Sequence, residues 1–360
     1  MKVYELDTPA VLVDVDLLKA NIEGMAQEAA RLGIKLRPHA KTHKSPEIAA
    51  MQFDAGACGI TVAKLSEAEI MAGYGIDDIL VAYPLVGPAK LTRLKDLVRK
   101  TKVTVSVDSA AVARGIAEVG ETIAVPVPVC VEVNTGQNRC GLEPGRATVE
   151  FVKSLAALPG IKVTGLMTHA GHAYQARNLN ELRQIARGEA FLLADTCELL
   201  RKAGLPVDEI SVGSTPTARF MAEMDGVTEI RPGTYVFNDY NMVCLGVAEV
   251  HQCALTVLST VVSRPAGNRF VLDAGSKTLS SDPSVRGRGY GFIKDCDCTV
   301  TRLSEEHGVV EAEVEVVIGD RVEIIPNHCC PVVNLTDSLY LRKGQEIVGE
   351  LKVRARGMNR

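Results

Sequence analysis

Residues 103–133 read VTVSVDSAAVARGIAEVGETIAVPVPVCVEV. Val103–Val107 and Val127–Val133 are valine-rich runs of strand character. The intervening Ala110–Val119 carries apolar residues at helical spacing and is followed by a glycine, Gly120. Working outward, the same rhythm fills the chain from about Lys35 to Asp239. Further strands are expected at Leu36–Ala40, Gly59–Val62, Ile79–Ala82, Lys162–Thr168, Glu209–Val212 and Glu229–Tyr235. Helices are expected at Ser45–Gly56, Leu65–Gly75, Gly87–Lys100, Arg146–Ala157, Asn178–Ala203 and Arg219–Asp225. Eight β-then-α units in succession predict the α/β class and a (β/α)8 TIM-type barrel, with its active site at the C-terminal ends of the strands. An open doubly wound sheet is the alternative.

After Leu245 the rhythm changes. Val250–Val262, Arg269–Leu272, Cys298–Leu303, Gly308–Val317 and Arg321–Ile325 alternate like strands, with turn residues between them. This predicts a mostly-β second domain. The N-terminal Thr8–Val13 is also strand-like, precedes a helix over Asp16–Leu32, and is expected to pair with that sheet. The division that follows is a barrel over 14–244 and a β domain made of 1–13 with 245–360.

A chain of 360 residues is long enough for a barrel-sized domain plus a smaller one. Its net charge of -4 supplies no basic footprint, which argues against a nucleic-acid partner. No apolar run approaches the roughly 20 residues needed to span a bilayer. Met1–Thr8, with Lys2, Glu5 and Asp7, lacks the apolar stretch of a secretory signal. Ten scattered cysteines without an export signal are read as free thiols in a reducing, cytoplasmic setting.

Five polar segments carry the chemistry. Arg37-Pro38-His39-Ala40-Lys41-Thr42-His43-Lys44 ends the first barrel strand, on the face where such barrels place catalytic groups. A lysine there can form a Schiff base with an aldehyde cofactor. A solvated basic loop is the plainer reading. Ser211-Val212-Gly213-Ser214-Thr215-Pro216-Thr217 and Arg231-Pro232-Gly233-Thr234-Tyr235 follow the seventh and eighth strands, the common phosphate position of barrels. Small residues there let backbone N–H groups approach an anion. Thr168-His169-Ala170-Gly171-His172-Ala173-Tyr174 follows the sixth strand, and makes His169 and His172 candidate acid–base groups or simply loop ties. Pro326-Asn327-His328-Cys329-Cys330-Pro331 lies in the β domain. In an extended strand His328 and Cys330 face the same side and converge on one ion, a mixture of imidazole and thiolate that suits zinc better than magnesium or calcium.

With Thr8-Pro9-Ala10, Asp273-Ala274-Gly275 and Glu306-His307-Gly308-Val309-Val310, these motifs run through nearly the whole chain. Together they resemble the fold-type III pyridoxal-phosphate enzymes, within them the D-threonine aldolase and D-serine dehydratase group. The resemblance implies pyridoxal 5'-phosphate on Lys41, with Arg139 facing the pyridine nitrogen. It implies phosphate contacts from Gly213, Ser214 and Thr215 and from Gly233, Thr234 and Tyr235. His39 and Tyr174 are expected as further cofactor contacts. It also implies a divalent metal, zinc, manganese or magnesium, on His328 and Cys330 beside the substrate hydroxyl. The expected activity is that of a lyase on D-3-hydroxy amino acids, foremost D-threonine aldolase. D-Serine or 3-hydroxy-D-aspartate dehydratase is the alternative, and a racemase comes behind. A homodimer is implied. Two features depart from the aldolase pattern: Cys330 stands where aldolases often carry aspartate, and His169-Ala170-Gly171 stands where a Tyr-His-Gly run is common.

Overall fold

A computed structural model describes residues 1–287, 289–294 and 296–360. The chain opens with strand β1 (Ala10–Asp14) and a helix over Val15–Arg31. It continues through β2 (Lys35–Leu36), β3 (Ile60–Val62), β4 (Asp78–Val81), β5 (Lys102–Val107), β6 (Val127–Glu132), β7 (Ile161–Met167), β8 (Glu209–Val212) and β9 (Glu229–Ile230). It ends with β10 (Leu255–Ala266), β11 (Arg269–Leu272), β12 (Gly291–Ile293), β13 (Cys298–Leu303), β14 (Gly308–Glu311), β15 (Arg321–Pro326), β16 (Ser338–Lys343) and β17 (Glu346–Lys352). Packing groups Met25–Lys41, Pro46–Gly233 and Met358–Arg360 into one unit, and Met1–Gly24, Thr42–Ser45 and Thr234–Gly357 into another. Periodicity draws the limits at 14 and 244; packing draws them further inside the barrel segment.

The first unit is an eight-stranded, TIM-like parallel sheet in the order β2-β9-β8-β7-β6-β5-β4-β3. Helices Pro46–Asp54, Leu65–Gly73, Pro88–Val98, Ala110–Ile123, Arg146–Leu155 and Leu179–Lys202 connect successive strands. Beyond β2 the chain stays extended: Thr61 N donates to Pro38 O at 2.7 Å and Ala40 N to Thr61 O at 2.8 Å, so the two ends of the strand order meet through His39 and Thr61. Ile60, Val62, Ile79, Val81, Val105, Val129 and Val131 are fully buried, as expected where helices cover the strands. Each such side chain contributes about 1.5–3 kcal/mol of transfer free energy. One close approach demands glycine on both sides: a Cβ on Gly120 would lie 1.8 Å from the Gly160 carbonyl oxygen.

The second unit holds a nine-stranded sheet in the order β11-β14-β13-β12-β15-β10-β1-β16-β17, and β10 also pairs with β11. The pairings are antiparallel except for β1 with β16. The N-terminal strand joins this sheet as expected, in register with β10 from Ala10 opposite Leu258 to Val13 opposite Leu255.

Several sequence expectations need correction. The last barrel strand stops at Ile230, because Pro232 has no N–H to continue a ladder, and Thr234–Val236 is a 3-10 turn. In the Arg219–Asp225 segment only Met221–Glu223 is helical, as a 3-10 turn, and the preceding helix is Thr215–Ala218. Val250–Gln252 is a 3-10 turn ahead of β10. Residues 312–317 alternate like a strand, but the carbonyls of Val314 and Val316 accept from the Arg264 guanidinium instead of a strand partner. Eight of the ten cysteines are free thiols, while Cys296 and Cys298 are joined by a disulfide. Among the described residues no helix is long and apolar enough to cross a membrane.

Candidate active site

In the first unit a cavity of about 310 Å³ opens at the C-terminal ends of the parallel strands. That lies at the small end of the ~300–1,000 Å³ range of ligand pockets. His39 and Lys41 reach it from the segment after β2, Glu132 from the end of β6, and Arg139 and Cys140 from the loop beyond. His169 comes from the loop after β7, Gly213 from the turn after β8, and Arg231 from just past β9. Ala63, Ala82, Tyr83, Pro84 and Met167 form a less polar wall.

The charges are unequal. Lys41, Arg139 and Arg231 face Glu132, so an anionic ligand is favoured. Burial raises the Glu132 pKa, while Arg139 and Arg231 pull it back. Burial, followed by the charges of Lys41, Arg139 and Arg231, holds His169 well below the usual imidazole value, and a hydrogen bond with the Gly213 backbone opposes this only weakly. His169 is therefore a neutral imidazole, able to accept a proton. Arg231 is fixed by donating to Ser211 Oγ and to the Thr168 carbonyl. Ser211 Oγ in turn donates to Glu229, which Arg37 Nε holds at 2.7 Å. Arg37 itself points away from the cavity, and its Nη1 donates to Asp78 Oδ1 at 2.6 Å.

The two small-residue turns touch: Gly233 N donates to Thr215 Oγ1 at 3.2 Å. Gly213 adopts φ +96°, a left-handed conformation that suits glycine, and its N–H reaches Glu189 Oε2 at 3.3 Å. Ser214 caps the Thr215–Ala218 helix. Thr234 and Tyr235 are buried in the following 3-10 turn.

Not every expected residue lines the cavity. His172 lies in the Gly171–Gln175 turn, with its ring beside Gly136, and Tyr174 is half-buried in the same turn. Neither is among the lining residues, nor are Ser214, Thr215, Gly233, Thr234 and Tyr235 of the two turns. Glu132, Tyr83 and Arg231 escape the sequence reading as site residues. Arg231 was within reach, because it opens the quoted Arg231-Pro232-Gly233 turn.

In the second unit, His328 and Cys330 do converge, but not through a strand. β15 ends at Pro326, His328 is the N-cap residue of the Cys329–Leu335 helix, and Cys330 lies in its first turn. Cys330 Sγ sits 3.2 Å from Thr42 Oγ1 and 3.9 Å from Thr234 Oγ1, and Thr42 follows Lys41 in the chain. His328 Nδ1 is 2.7 Å from Asp282 Oδ2. Hydrogen bonding from Cys329 and the charge of His328 hold the Cys330 thiol well below its usual value against the cost of burial. Burial would lower the His328 pKa, but the Cys330 charge and Asp282 raise it well above the usual value. Side by side, the stabilised thiolate and the His328 ring, once an ion displaces its proton, would make a donor set suited to a borderline-soft ion. Among the described residues no three His, Cys, Asp or Glu side chains converge on one point.

Residues 13–241 match the alanine racemase N-terminal domain, and residues 254–342 match a serine dehydratase domain. The chain is 34% identical to D-threonine aldolase of Arthrobacter sp, over 99% of this chain and 94% of that one. The crystal structure of D-threonine aldolase from Filomicrobium marinum superposes with a TM-score of 0.92 at 30% identity, covering 99% of this chain and 98% of that one. A cysteine-to-alanine variant of D-threo-3-hydroxyaspartate dehydratase, solved in the metal-free form, superposes with a TM-score of 0.90 at 33% identity, covering 98% of each chain. The chain thus belongs to the fold-type III pyridoxal-phosphate enzymes, in the family of D-threonine aldolases and D-serine or 3-hydroxyaspartate dehydratases.

Proposed function

We infer that this chain is a pyridoxal-phosphate- and metal-dependent lyase that cleaves D-threonine to glycine and acetaldehyde. The observation that carries the reading is one cavity shared by Lys41, Arg139, Arg231 and the neutral imidazole of His169. The residues suit the cofactor. Lys41 would hold its aldehyde carbon, Arg139 its ring nitrogen, and Gly213, Ser214, Thr215, Gly233, Thr234 and Tyr235 its phosphate, with His39 alongside. When bound, the cofactor supplies a sink for the electron pair left at Cα. His328 and Cys330 would hold zinc or manganese, which supplies a Lewis acid at the substrate hydroxyl.

The chain's own residues do the rest. His169 accepts the hydroxyl proton, and the Cα–Cβ bond then breaks. Lys41 Nζ, in the same cavity, returns a proton to Cα. A guanidinium keeps its proton, so Arg139 would leave a ring nitrogen held beside it unprotonated and make the bound cofactor a weaker electron sink. Ala63, Ala82, Pro84 and Met167 keep that region dry. Reading the parallel sheet as a closed (β/α)8 barrel, supported by the His39–Thr61 bridge, puts these loops on one rim. We take the assembly to be a homodimer, as the family implies.

Dehydration is the second reading, and Cys330 favours it, since cysteine rather than aspartate stands at this position. There Lys41 takes the Cα proton, the hydroxyl leaves, and D-serine or 3-hydroxy-D-aspartate yields a 2-oxo acid and ammonia. Side-by-side assays with zinc and manganese separate the two. Acetaldehyde from D-threonine supports the aldolase, 2-oxo acid from D-serine or 3-hydroxy-D-aspartate supports the dehydratase, and silence in both refutes the lyase.

A further inference from the structure

His328 does not stand alone. Its Nδ1 lies 2.7 Å from Asp282 Oδ2, so one ring nitrogen is engaged and the other is turned toward Cys330. Asp282 sits in the loop between the short helix Ser276–Leu279 and β12, and that loop is fastened to the chain around His328 by side chains dedicated to it. Asn327 Nδ2 donates to the Asp282 carbonyl at 3.1 Å and to the Gly289 carbonyl at 2.8 Å. Asn241 Oδ1 accepts from Val285 N at 2.8 Å, and Asn241 N donates to the Asn327 carbonyl at 3.2 Å. Ser280 Oγ accepts from Asp282 N at 3.2 Å. Asn327 is itself buried, so these two bonds are shielded from water.

We propose that Asp282 is a positioning residue that fixes the Nδ1–H form of His328 and presents Nε2 to the metal ion. The inference rests on His328 and Cys330 being metal ligands. A carboxylate behind a ligating histidine orients the ring and increases its basicity, and losing such a partner costs about 10–100-fold in metal affinity. Asp282 is not among the residues that line the cavity of the first unit. Asparagine can still accept from Nδ1–H but brings no charge; glutamate brings the charge on a longer arm.

The test uses the full-length, cofactor-loaded protein and zinc, titrated against a chromogenic chelator. The unaltered protein, Asp282→Asn, Asp282→Glu and His328→Ala are compared, with cofactor absorbance as the check on folding. The expected result is zinc affinity about 10–100-fold weaker in Asp282→Asn, partial recovery in Asp282→Glu, and cofactor absorbance unchanged in both. Affinity within about twofold of the unaltered protein in Asp282→Asn, while His328→Ala loses zinc, overturns the role of Asp282 and leaves the metal reading standing. Zinc loss accompanied by loss of cofactor absorbance also overturns it, as a general collapse. Absence of zinc binding in the unaltered protein, or full binding in His328→Ala, overturns the metal reading beneath it.

Discussion

His169→Gln tests the proton acceptor directly. Glutamine keeps an amide that can bond the Gly213 backbone, fills much of the same space, and cannot take a proton. Removing a positioned general base costs about 10²–10⁴ in rate. At 1.36 kcal/mol per tenfold this is about 3–5 kcal/mol of barrier. The pH dependence carries the same logic. Burial and then three neighbouring cations, Lys41, Arg139 and Arg231, disfavour the imidazolium, so the His169 pKa lies well below 6.5. The proton-accepting neutral form therefore persists as pH falls through 6.5, and the acid limb of kcat/KM falls below that value. Acetaldehyde release, coupled to reduction by alcohol dehydrogenase, gives both readouts, with cofactor absorbance as the control. A kcat within about threefold of the unaltered protein would refute the role. So would an acid limb that tracks His169 and is centred at or above 6.5.

Two further outcomes follow from the geometry. Cys330→Ala removes the thiolate beside His328, so bound zinc and metal-dependent activity should vanish while cofactor absorbance stays; full zinc content by elemental analysis would contradict this. Arg37→Met strips the counter-charge from Glu229, whose side chain is 2% exposed, while Asp78 keeps its ion pair with Lys102. Leaving such a buried charge unpaired costs about 3–5 kcal/mol, to be read from urea unfolding, with partial recovery when Glu229→Gln is added. A loss below about 1 kcal/mol would show that the pair is solvated.

The parallel sheet was legible because its strands are largely buried on both faces; the stop signal in 103–133 misled, since the helix there runs through Gly120 to Ile123 and ends at the left-handed Ala124. The β domain was less legible. Ser338–Lys343 and Glu346–Lys352 form a hairpin that the sequence reading passes over, since lysine, arginine and glutamate interrupt the apolar alternation. Residues 312–317 err in the opposite direction: their alternation is strand-like, yet a side chain takes the carbonyls. Of the residues lining the cavity, Lys41, His169, Arg139 and Gly213 follow from their position after strands. Local spacing says little about Glu132, because a carboxylate at a strand end becomes a site residue only once Arg139 and Arg231 face it. The His328–Cys330 pair was found through the wrong geometry. An i, i+2 pair converges in a strand, and it also converges where an N-cap residue meets the first turn of a helix, as here. Asp282 lies 46 residues from His328 in sequence, and only the folded loop brings them together.

The central claim is that Lys41 carries the cofactor. Reduction of the holoenzyme with sodium borohydride fixes the lysine–cofactor bond, and peptide mapping by mass spectrometry locates it. The account predicts a single pyridoxyl-phosphate adduct on the peptide containing Lys41, with none in Lys41→Ala. An adduct on another lysine, or an unmodified Lys41 in a protein that retains its visible absorbance, would contradict it.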